Sequence, residues 1–221
     1  MRGLYVLGEG HTEEQFINDV LRRYFIDRGI IDVRCILMET SPGNKGGDVS
    51  YKRYRLNAEK LLSRQSDIIV TSLIDFFKLN TDFPRFDEAK LKFPNDKFRR
   101  VEFLEDAIST ELNNRRFIPY IQLHEFEGLL FSSNIGFEFI PDIPQNNRAQ
   151  LENAVTEQEN PELLNDGSTS APSKRLVRLI PGYEKALHGP IIADVVTINT
   201  MLERCKRFSK WIETLISRMK E

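Results

Sequence analysis

The chain has 221 residues, of which 31 are Lys or Arg and 33 are Asp or Glu, so its formal net charge is −2. With 40% hydrophobic and 29% charged residues, its composition excludes a disordered chain, a collagen and a small disulfide scaffold. The near balance of charge also excludes a strongly basic protein that coats DNA by charge alone. It leaves open a locally basic surface beside a locally acidic site.

Cysteine usage and apolar run lengths predict a soluble cytoplasmic protein. Cys35 and Cys205 form no CxxC pair, which favours two buried thiols in a reducing compartment over a disulfide. The apolar run at residues 4–7 is too short for a signal peptide, and no stretch approaches the ~18 apolar residues of a membrane span. The segment that begins with His124 and Glu125 resembles the start of the zinc-binding motif HExxH, but Gly128 stands where the second histidine should be. A thermolysin-type zinc site is therefore rejected.

The first 123 residues alternate between strand and helix patterns. Thr12 is predicted to cap the first helix, with Gln15 three residues later completing a capping box, and Gly29 closes that helix. A Gly-rich stretch at 41–48 and a Pro-punctuated stretch at 80–94 separate later elements. We predict strands at residues 4–7, 31–38, 67–74 and 117–123, and helices at 12–28, 51–62 and 101–112.

Four strand–helix alternations predict an α/β fold, with a mostly parallel, Rossmann-like sheet of about four strands flanked by helices. We predict a core of residues 1–135 and a loop-rich and helical C-terminal extension of residues 136–221 packed on it. One face of a terminal helix is marked by Leu202, Cys205, Phe208, Ile212, Leu215 and Met219.

Acidic residues follow three of the predicted strands. Glu9 and Glu13 follow the first, Asp75 ends the third, and Glu125 and Glu127 follow the fourth. Because the carboxyl ends of parallel strands share one edge of a sheet, we expect these carboxylates to converge. Clustered carboxylates raise one another's pKa unless a cation lies between them. The pattern therefore favours a Mg²⁺ or Mn²⁺ site that acts on a phosphate ester.

A nucleotide-binding loop is the rival interpretation of the first strand–helix junction. Gly8 and Gly10 begin like GxGxxG, but Glu13 replaces the third glycine and would repel a pyrophosphate at the helix N-terminus. No GxxxxGK[ST] motif occurs either. Dinucleotide and P-loop functions are therefore disfavoured.

All of these acids except Glu9 also have an ordinary structural explanation. Glu13 and Glu14 suit the first turn of a helix, where they complement its dipole, and Asp75 suits a cap or turn. Glu125 and Glu127 cannot both point into one site from a strand–helix junction, so one of them is expected to be a solvated or capping residue. Glu9 lies between two glycines, where neither capping nor core packing calls for a carboxylate.

The opening motif, strand-Gly-Glu-Gly-x-Thr-Glu, resembles that of TOPRIM domains (the topoisomerase–primase fold) in the branch of the OLD-type (overcoming lysogenization defect) nucleases. Further segments resemble a bacterial family of TOPRIM-like proteins of largely undefined function, and the resemblance covers nearly the whole chain. These segments are IDFFKL at 74–79 with DFP at 82–84, HEFEGLLF at 124–131, APSKRL at 171–176, and Cys205-x-x-Phe208-x-x-Trp211.

The resemblance implies a TOPRIM fold that binds Mg²⁺ for phosphodiester chemistry. Glu9 matches the TOPRIM glutamate, Glu13 the second acid of the opening motif, and Asp75 the first Asp of the DxD motif. Phe77 occupies the second Asp position of that motif, so the resemblance leaves open whether one or two metal ions bind. Glu127, or else Glu125, matches the acid that follows the fourth strand. An ATPase partner in a phage-defence system is also implied.

Basic residues are spread over helices and loops. Lys45, Arg115 and Arg116 lie in local clusters that are more often ordinary solvated faces than binding surfaces. Lys174 and Arg175 follow a flexible loop that could close over a substrate, and by the resemblance they fall where a residue could contact a phosphate. We predict Lys174, Arg175 and Lys45 as contacts to substrate phosphate.

The first functional hypothesis is a Mg²⁺-dependent nuclease acting on DNA or RNA. Glu9 would serve as a metal ligand or general base, with Glu9, Asp75 and Glu127 as catalytic residues and Glu9, Glu13, Asp75, Glu127 and Glu125 as candidate metal ligands. The second hypothesis is a non-catalytic or regulatory partner of an ATPase, motivated by Phe77. A hydrolase of small phosphoesters or nucleotides is the third, and a homodimer is left open.

Overall fold

The computed structural model describes residues 2–41, 44–45, 49–77, 79–164 and 170–221, with the side chains of 39–41 and 44–45 outside the description. Its main sheet is parallel throughout, in the strand order β2-β1-β5-β6, and β7 also pairs with β5. A separate antiparallel pair is formed by β3 and β4. The strands are β1 Gly3–Gly8, β2 Val33–Leu37, β3 Glu39–Ser41, β4 Asn44–Lys45, β5 Ile68–Asp75, β6 Phe117–Ile118 and β7 Ile121–Gln122.

Helices cover both faces of the sheet. A single turn of π-helix, Ile17–Leu21, joins the first two, and 3-10 helices occupy Phe126–Ser132 and Pro161–Leu163. The α-helices are α1 His11–Phe16, α2 Arg22–Ile26, α3 Tyr51–Arg64, α4 Phe86–Lys92, α5 Lys97–Leu112, α6 Ile135–Glu138, α7 Gln145–Glu157, α8 Pro172–Leu179, α9 Lys185–Val196, α10 Ile198–Arg204 and α11 Lys206–Lys220.

Alternate residues of the central strands face two separate apolar clusters. Leu4 and Val6 of β1 belong to the cluster that contains α1, α2 and the C-terminal helices, whereas Tyr5 and Leu7 belong to the cluster that contains α3 and α5. A strand buried on both faces explains why β1 is a continuous apolar run instead of an alternating one. The predicted α/β class with a mostly parallel, helix-flanked sheet is confirmed; the part of the chain that the structure describes forms five strands of this sheet, where about four were predicted.

Several predicted boundaries were wrong. Thr12 does not cap the first helix; Gly10 is the N-cap, without a side-chain hydrogen bond, and Thr12 is buried in the first turn. The predicted helix 12–28 ends at Ile26. The apolar residues predicted to lie on one terminal helix belong to two helices, because Leu202 is in α10 and Phe208 is in α11. Helix α4 was not predicted, since its Pro-rich surroundings favour loops.

The fourth predicted strand is interrupted. Pro119 lies between β6 and β7 and lacks the N–H that a continuous strand would donate. The Ser72 hydroxyl of β5 takes over this part of the pairing: it accepts from Tyr120 N and lies within hydrogen-bond reach of Tyr120 O, both at 3.0 Å. A side chain therefore replaces the missing backbone ladder at the break.

The C-terminal helix docks on the sheet through Trp211. The indole Nε1–H donates to Thr71 Oγ1 of β5 at 2.8 Å, and the ring stacks on Tyr120 with centroids 4.3 Å apart and planes within 8°. One apolar cluster contains both Leu4 and Leu215, so side chains from both predicted parts pack together. The division into residues 1–135 and 136–221 stays a prediction.

Both cysteines are free: Cys205 is buried and Cys35 is half-buried. Within the described ranges, no helix combines the length and the apolar character that crossing a membrane requires.

Gly136 of α6 lies against α9 at a distance that only glycine allows. A Cβ at this position would approach Ile192 Cγ2 and Val196 Cγ2 to 2.7 Å. Both neighbours are β-branched and stiff, so they cannot easily turn away. We expect Gly136→Ala to lower the free energy of unfolding by about 1–3 kcal/mol, measured by urea denaturation. The exposed control Ser217→Ala should stay within about 0.5 kcal/mol of wild type, and an equally stable Gly136→Ala would contradict this packing.

Candidate active site

Two carboxylates meet at the carboxyl edge of the two central strands. Strands β1 and β5 are parallel neighbours, with Gly8 opposite Leu73, so the residues that follow Gly8 lie beside the end of β5. Asp75 is the last residue of β5, and its backbone N–H donates to Glu9 Oε2 at 3.4 Å. The sheet register therefore brings Glu9 and Asp75 together, although 66 residues separate them in sequence.

The segment after β7 is held along the same edge. The N–H of Phe76 donates to the Gln122 carbonyl at 2.9 Å, and the N–H of Phe77 donates to the His124 carbonyl at 2.7 Å. Asp75 Oδ1 then accepts from the N–H of Phe126 at 2.9 Å. Strand-like pairing beyond β5 thus carries the backbone of residues 124–127 past the Asp75 carboxylate.

A lysine lies among three of the acids. Lys185 is the first residue of α9, and its Nζ is 3.0 Å from Glu127 Oε1. The same nitrogen is 4.0 Å from Glu13 Oε1 and 4.0 Å from Asp75 Oδ2. The Glu127 side chain is fully buried, whereas 41% of the Lys185 side chain is exposed. Residues of β5, of α1 and of the 3-10 helix that begins at Phe126 therefore share one cation from α9.

Burial and mutual repulsion alter the acidity of this group. Burial raises the pKa of Asp75 well above its ordinary value, against the lowering effect of Lys185 and with further raising by Glu13 and Glu127. Burial also raises the pKa of Glu127, to about 7, although Lys185 opposes that shift. The pKa of Lys185 is raised, because its carboxylate neighbours outweigh the lowering effect of burial. When all three carboxylates are ionised, the group carries two more negative charges than Lys185 balances.

Gly10 permits the position of Glu13. A Cβ on Gly10 would lie 3.1 Å from Glu13 Oε2, which is closer than most side chains tolerate. Glu13 is buried in the first turn of α1, where the helix dipole favours an anion. Glu14, next along the helix, instead pairs with His11 Nδ1 at 3.1 Å. The two neighbouring glutamates therefore have different environments.

Glu125 and Glu127 point in different directions. The Glu125 carboxylate accepts from Ser173 N at 3.0 Å and from Ser173 Oγ at 2.9 Å, in the first turn of α8. It therefore satisfies an otherwise free N–H of that helix terminus. Glu127 faces Lys185. Glu125 thus anchors α8 beside the acid cluster without contacting Lys185 directly.

Of the three basic residues predicted to contact substrate phosphate, two lie on α8, the helix that Glu125 anchors beside the acid cluster. Arg175 donates to the Ser170 carbonyl at 3.0 Å and pairs with Glu157 at 3.4 Å, while Lys174 is exposed on α8. The side chain of Lys45 lies outside the described part of the structure.

Lys185 was missed by sequence reasoning. A lysine at the first position of a helix opposes the dipole and so hints at another partner. The hint is weak, because Lys206 begins α11 in the same position and is exposed. Tyr183 was also missed: its hydroxyl is buried without a hydrogen-bond partner among the described residues, and burial and the charge of Glu127 raise its pKa.

The donors present suit a small hard cation. Within the described ranges, no three His, Cys, Asp or Glu side chains already lie close enough together to hold a metal ion. The cluster nevertheless offers only carboxylate oxygens, the donor type that Mg²⁺ and Mn²⁺ prefer. Glu127 Oε2 is buried without a hydrogen-bond partner among the described residues, and a cavity of about 10 Å³ lies beside Glu9 and Asp75. That volume suits one water or one ion.

Comparison with known proteins defines the class and then the family. The C-terminal region of the Burkholderia pseudomallei OLD protein superposes with a TM-score of 0.53 and 15% identity, over 96% of this chain and 98% of that chain. The C-terminal region of the Xanthomonas campestris pv. campestris OLD protein gives a TM-score of 0.46 and 13% identity, over 100% and 97%. No curated protein matches.

The fold is TOPRIM-like and similar to that of the C-terminal region of the Burkholderia pseudomallei OLD protein, as the motifs predicted. Residues 8–216 match the family described as a domain of unknown function, DUF4276. The chain belongs to this family.

Proposed function

We propose that this protein is a metal-dependent TOPRIM-like nuclease that hydrolyses phosphodiester bonds in DNA or RNA. The observation that carries the proposal is the convergence of Glu13, Asp75 and Glu127 on the Nζ of Lys185, with Glu9 hydrogen-bonded to the backbone of Asp75. Buried acids with raised pKa values at the carboxyl end of a parallel sheet are typical of a catalytic centre.

Each residue has a distinct role in this proposal. Glu9, Glu13, Asp75 and Glu127 would hold Mg²⁺ or Mn²⁺, with Glu125 as a further candidate ligand. The bound ion would polarise the phosphodiester and lower the pKa of an attacking water. Glu9, next to the ion-sized cavity, acts as a ligand or takes a proton from that water.

Lys185 is the best-placed group to receive a phosphate oxygen. Its partly exposed ammonium already lies 3.0 Å from Glu127 and can turn from the carboxylates toward a substrate. Lys174 and Arg175, at the start of the helix that Glu125 anchors, and Lys45 are proposed to contact neighbouring phosphates. The substrate would then be gripped by a few basic groups around an acidic centre, which fits the near-zero net charge.

The proposal is tested by incubating supercoiled plasmid and structured RNA with the protein and Mg²⁺ or Mn²⁺. We expect cleavage that EDTA abolishes and that Glu9→Gln reduces at least tenfold, because the variant loses one negative charge at the cavity. Glu14→Gln is the matched control: it changes the neighbouring acid that pairs with His11, and it should cleave at the wild-type rate. Metal-independent cleavage, or equal activity in Glu9→Gln, would contradict the proposal.

A second candidate function is a non-catalytic or regulatory subunit of an ATPase in a phage-defence system. Phe77 favours it, because an apolar side chain stands at the second acidic position of the DxD motif. The two functions differ in a direct measurement. A regulatory subunit would bind Mn²⁺ in a calorimetric titration and co-purify with an ATPase, yet leave plasmid and RNA intact.

A further inference from the structure

The opposite edge of the sheet carries a basic cavity. Arg2 precedes β1, Ser66 precedes β5, and Arg115 and Arg116 precede β6, so the starts of three neighbouring strands meet there. Arg218 and Glu221 from the end of the chain, together with Ile69 of β5, complete the lining of a cavity of about 450 Å³. Strand β5 has eight residues, which places this cavity roughly 23 Å from the candidate active site.

The arginines are held in place by backbone carbonyls. Arg116 donates to the carbonyls of Leu62 at 2.8 Å and Gln65 at 2.7 Å, at the end of α3. Arg2 donates to the carbonyl of Arg218 at 2.9 Å, and Arg218 donates to the carbonyl of Arg115. These contacts fix the directions of the Arg2, Arg116 and Arg218 guanidiniums before a ligand arrives, which lowers the entropic cost of binding.

Local charges do not cancel. The four guanidiniums are opposed by Asp67, 3.5 Å from Arg2 Nε, and by Glu221, 3.0 Å from Arg218 Nε. The carboxyl ends of α3 and α11 add about half a negative charge each. A positive excess of about one charge therefore remains around the cavity, and the exposed guanidinium of Arg115 has no side-chain partner among the described residues.

We propose that this cavity binds a phosphate-bearing anion, at a site separate from the acid cluster. Guanidiniums with fixed orientation match the oxygens of phosphate better than lysines do, and Arg115 supplies the free donors. A volume of about 450 Å³ exceeds that of a single phosphate and suits a diphosphate group or the phosphates of a nucleotide or of a nucleic-acid end. Helix capping explains Arg116 but gives no role to Arg115.

Binding is measured by isothermal titration of the whole chain with inorganic pyrophosphate in EDTA, so that metal chemistry at the acid cluster plays no part. We expect saturable 1:1 binding, at least tenfold weaker in Arg115→Ala and absent in Arg115→Glu. Arg22→Ala, which removes an exposed arginine on α2, is the control and should bind as wild type does.

Two further titrations distinguish the source of the phosphate. ATP tests a free nucleotide, and a 5′-phosphorylated single-stranded oligonucleotide, compared with its unphosphorylated form, tests a nucleic-acid end. Binding of either ligand that is weakened by Arg115→Ala supports the site and names its source. The proposal is overturned if wild type binds none of the three ligands, or if Arg115→Ala and Arg22→Ala bind them equally. Failure here leaves the cleavage results with Glu9→Gln unaffected, because those depend on the other edge of the sheet.

Discussion

Replacing Asp75 by asparagine is expected to reduce metal-dependent cleavage at least 100-fold and, at the same time, to stabilise the protein. Asparagine keeps an oxygen that can accept from the N–H of Phe126, so the local backbone contact survives. The substitution removes the negative charge of a proposed metal ligand. The expected fall in the cleavage rate corresponds to a loss of about 3 kcal/mol or more of transition-state stabilisation.

The gain in stability has an electrostatic origin. Burial, together with Glu13, Glu127 and Glu9, disfavours the charged form of Asp75 and raises its pKa. Because the folded-state pKa lies above the unfolded one, ionised Asp75 costs stability at neutral pH, and this cost disappears as the pH falls. In EDTA at neutral pH we expect Asp75→Asn to have a free energy of unfolding about 1–2 kcal/mol higher than that of wild type. This difference should shrink as the pH falls.

Urea denaturation and plasmid cleavage measure the two effects separately. Asp87→Asn, an exposed aspartate in the first turn of α4, is the matched control and should change neither quantity appreciably. A destabilised Asp75→Asn would show that the charge of Asp75 is favourable in the folded state. An active Asp75→Asn would remove Asp75 from the catalytic group.

Replacing Lys185 by methionine is expected to have the opposite effect on stability. The variant keeps the length and apolar stem of the side chain but leaves Glu13, Asp75 and Glu127 without the cation that they share. Removing one partner of a buried ion pair costs about 3–5 kcal/mol, and the partial exposure of Lys185 reduces this to about 1–3 kcal/mol. We therefore expect a lower free energy of unfolding in EDTA.

Mg²⁺ should restore part of the lost stability. A divalent cation that binds the folded state stabilises it in proportion to its occupancy, and the uncompensated cluster should bind it more tightly than wild type does. The thermal midpoint of Lys185→Met should therefore rise more on addition of Mg²⁺ than that of wild type. Lys206→Met, at the first position of α11, is the control. An equal response to Mg²⁺ in Lys185→Met and wild type would separate the lysine from the metal site.

The proximity of Glu9 and Asp75 is the part of the site that sequence reasoning could reach. Each follows an apolar strand, and adjacent parallel strands end at the same edge. The order of the strands was not available from their patterns, but the right-handedness of crossovers between parallel strands restricted the choice. Roles for these residues stay predictions, whereas their closeness is a consequence of the β1–β5 register.

Lys185 could not be found in this way because its contact is tertiary. It lies 58 residues beyond Glu127 in sequence, and its position depends on how α9 packs against α1 and the segment after β7. Sequence patterns also gave a wrong strand continuity and a wrong helix N-cap, because tertiary contacts decide both. The Ser72 hydroxyl allowed a strand to break at Pro119, and Gly10 rather than Thr12 became the N-cap.

Trp211 is the only tryptophan in the sequence, and it lies where α11 meets β5. Its indole is stacked on Tyr120 and hydrogen-bonded to Thr71, in a cluster that contains residues from both ends of the chain. The tryptophan fluorescence of this protein therefore comes from one known location and reports whether the C-terminal helix is packed on the sheet. Detachment of that helix before the sheet melts would change tryptophan emission ahead of far-ultraviolet circular dichroism. The chain thus contains a built-in optical reporter for whether its two predicted parts unfold as one unit.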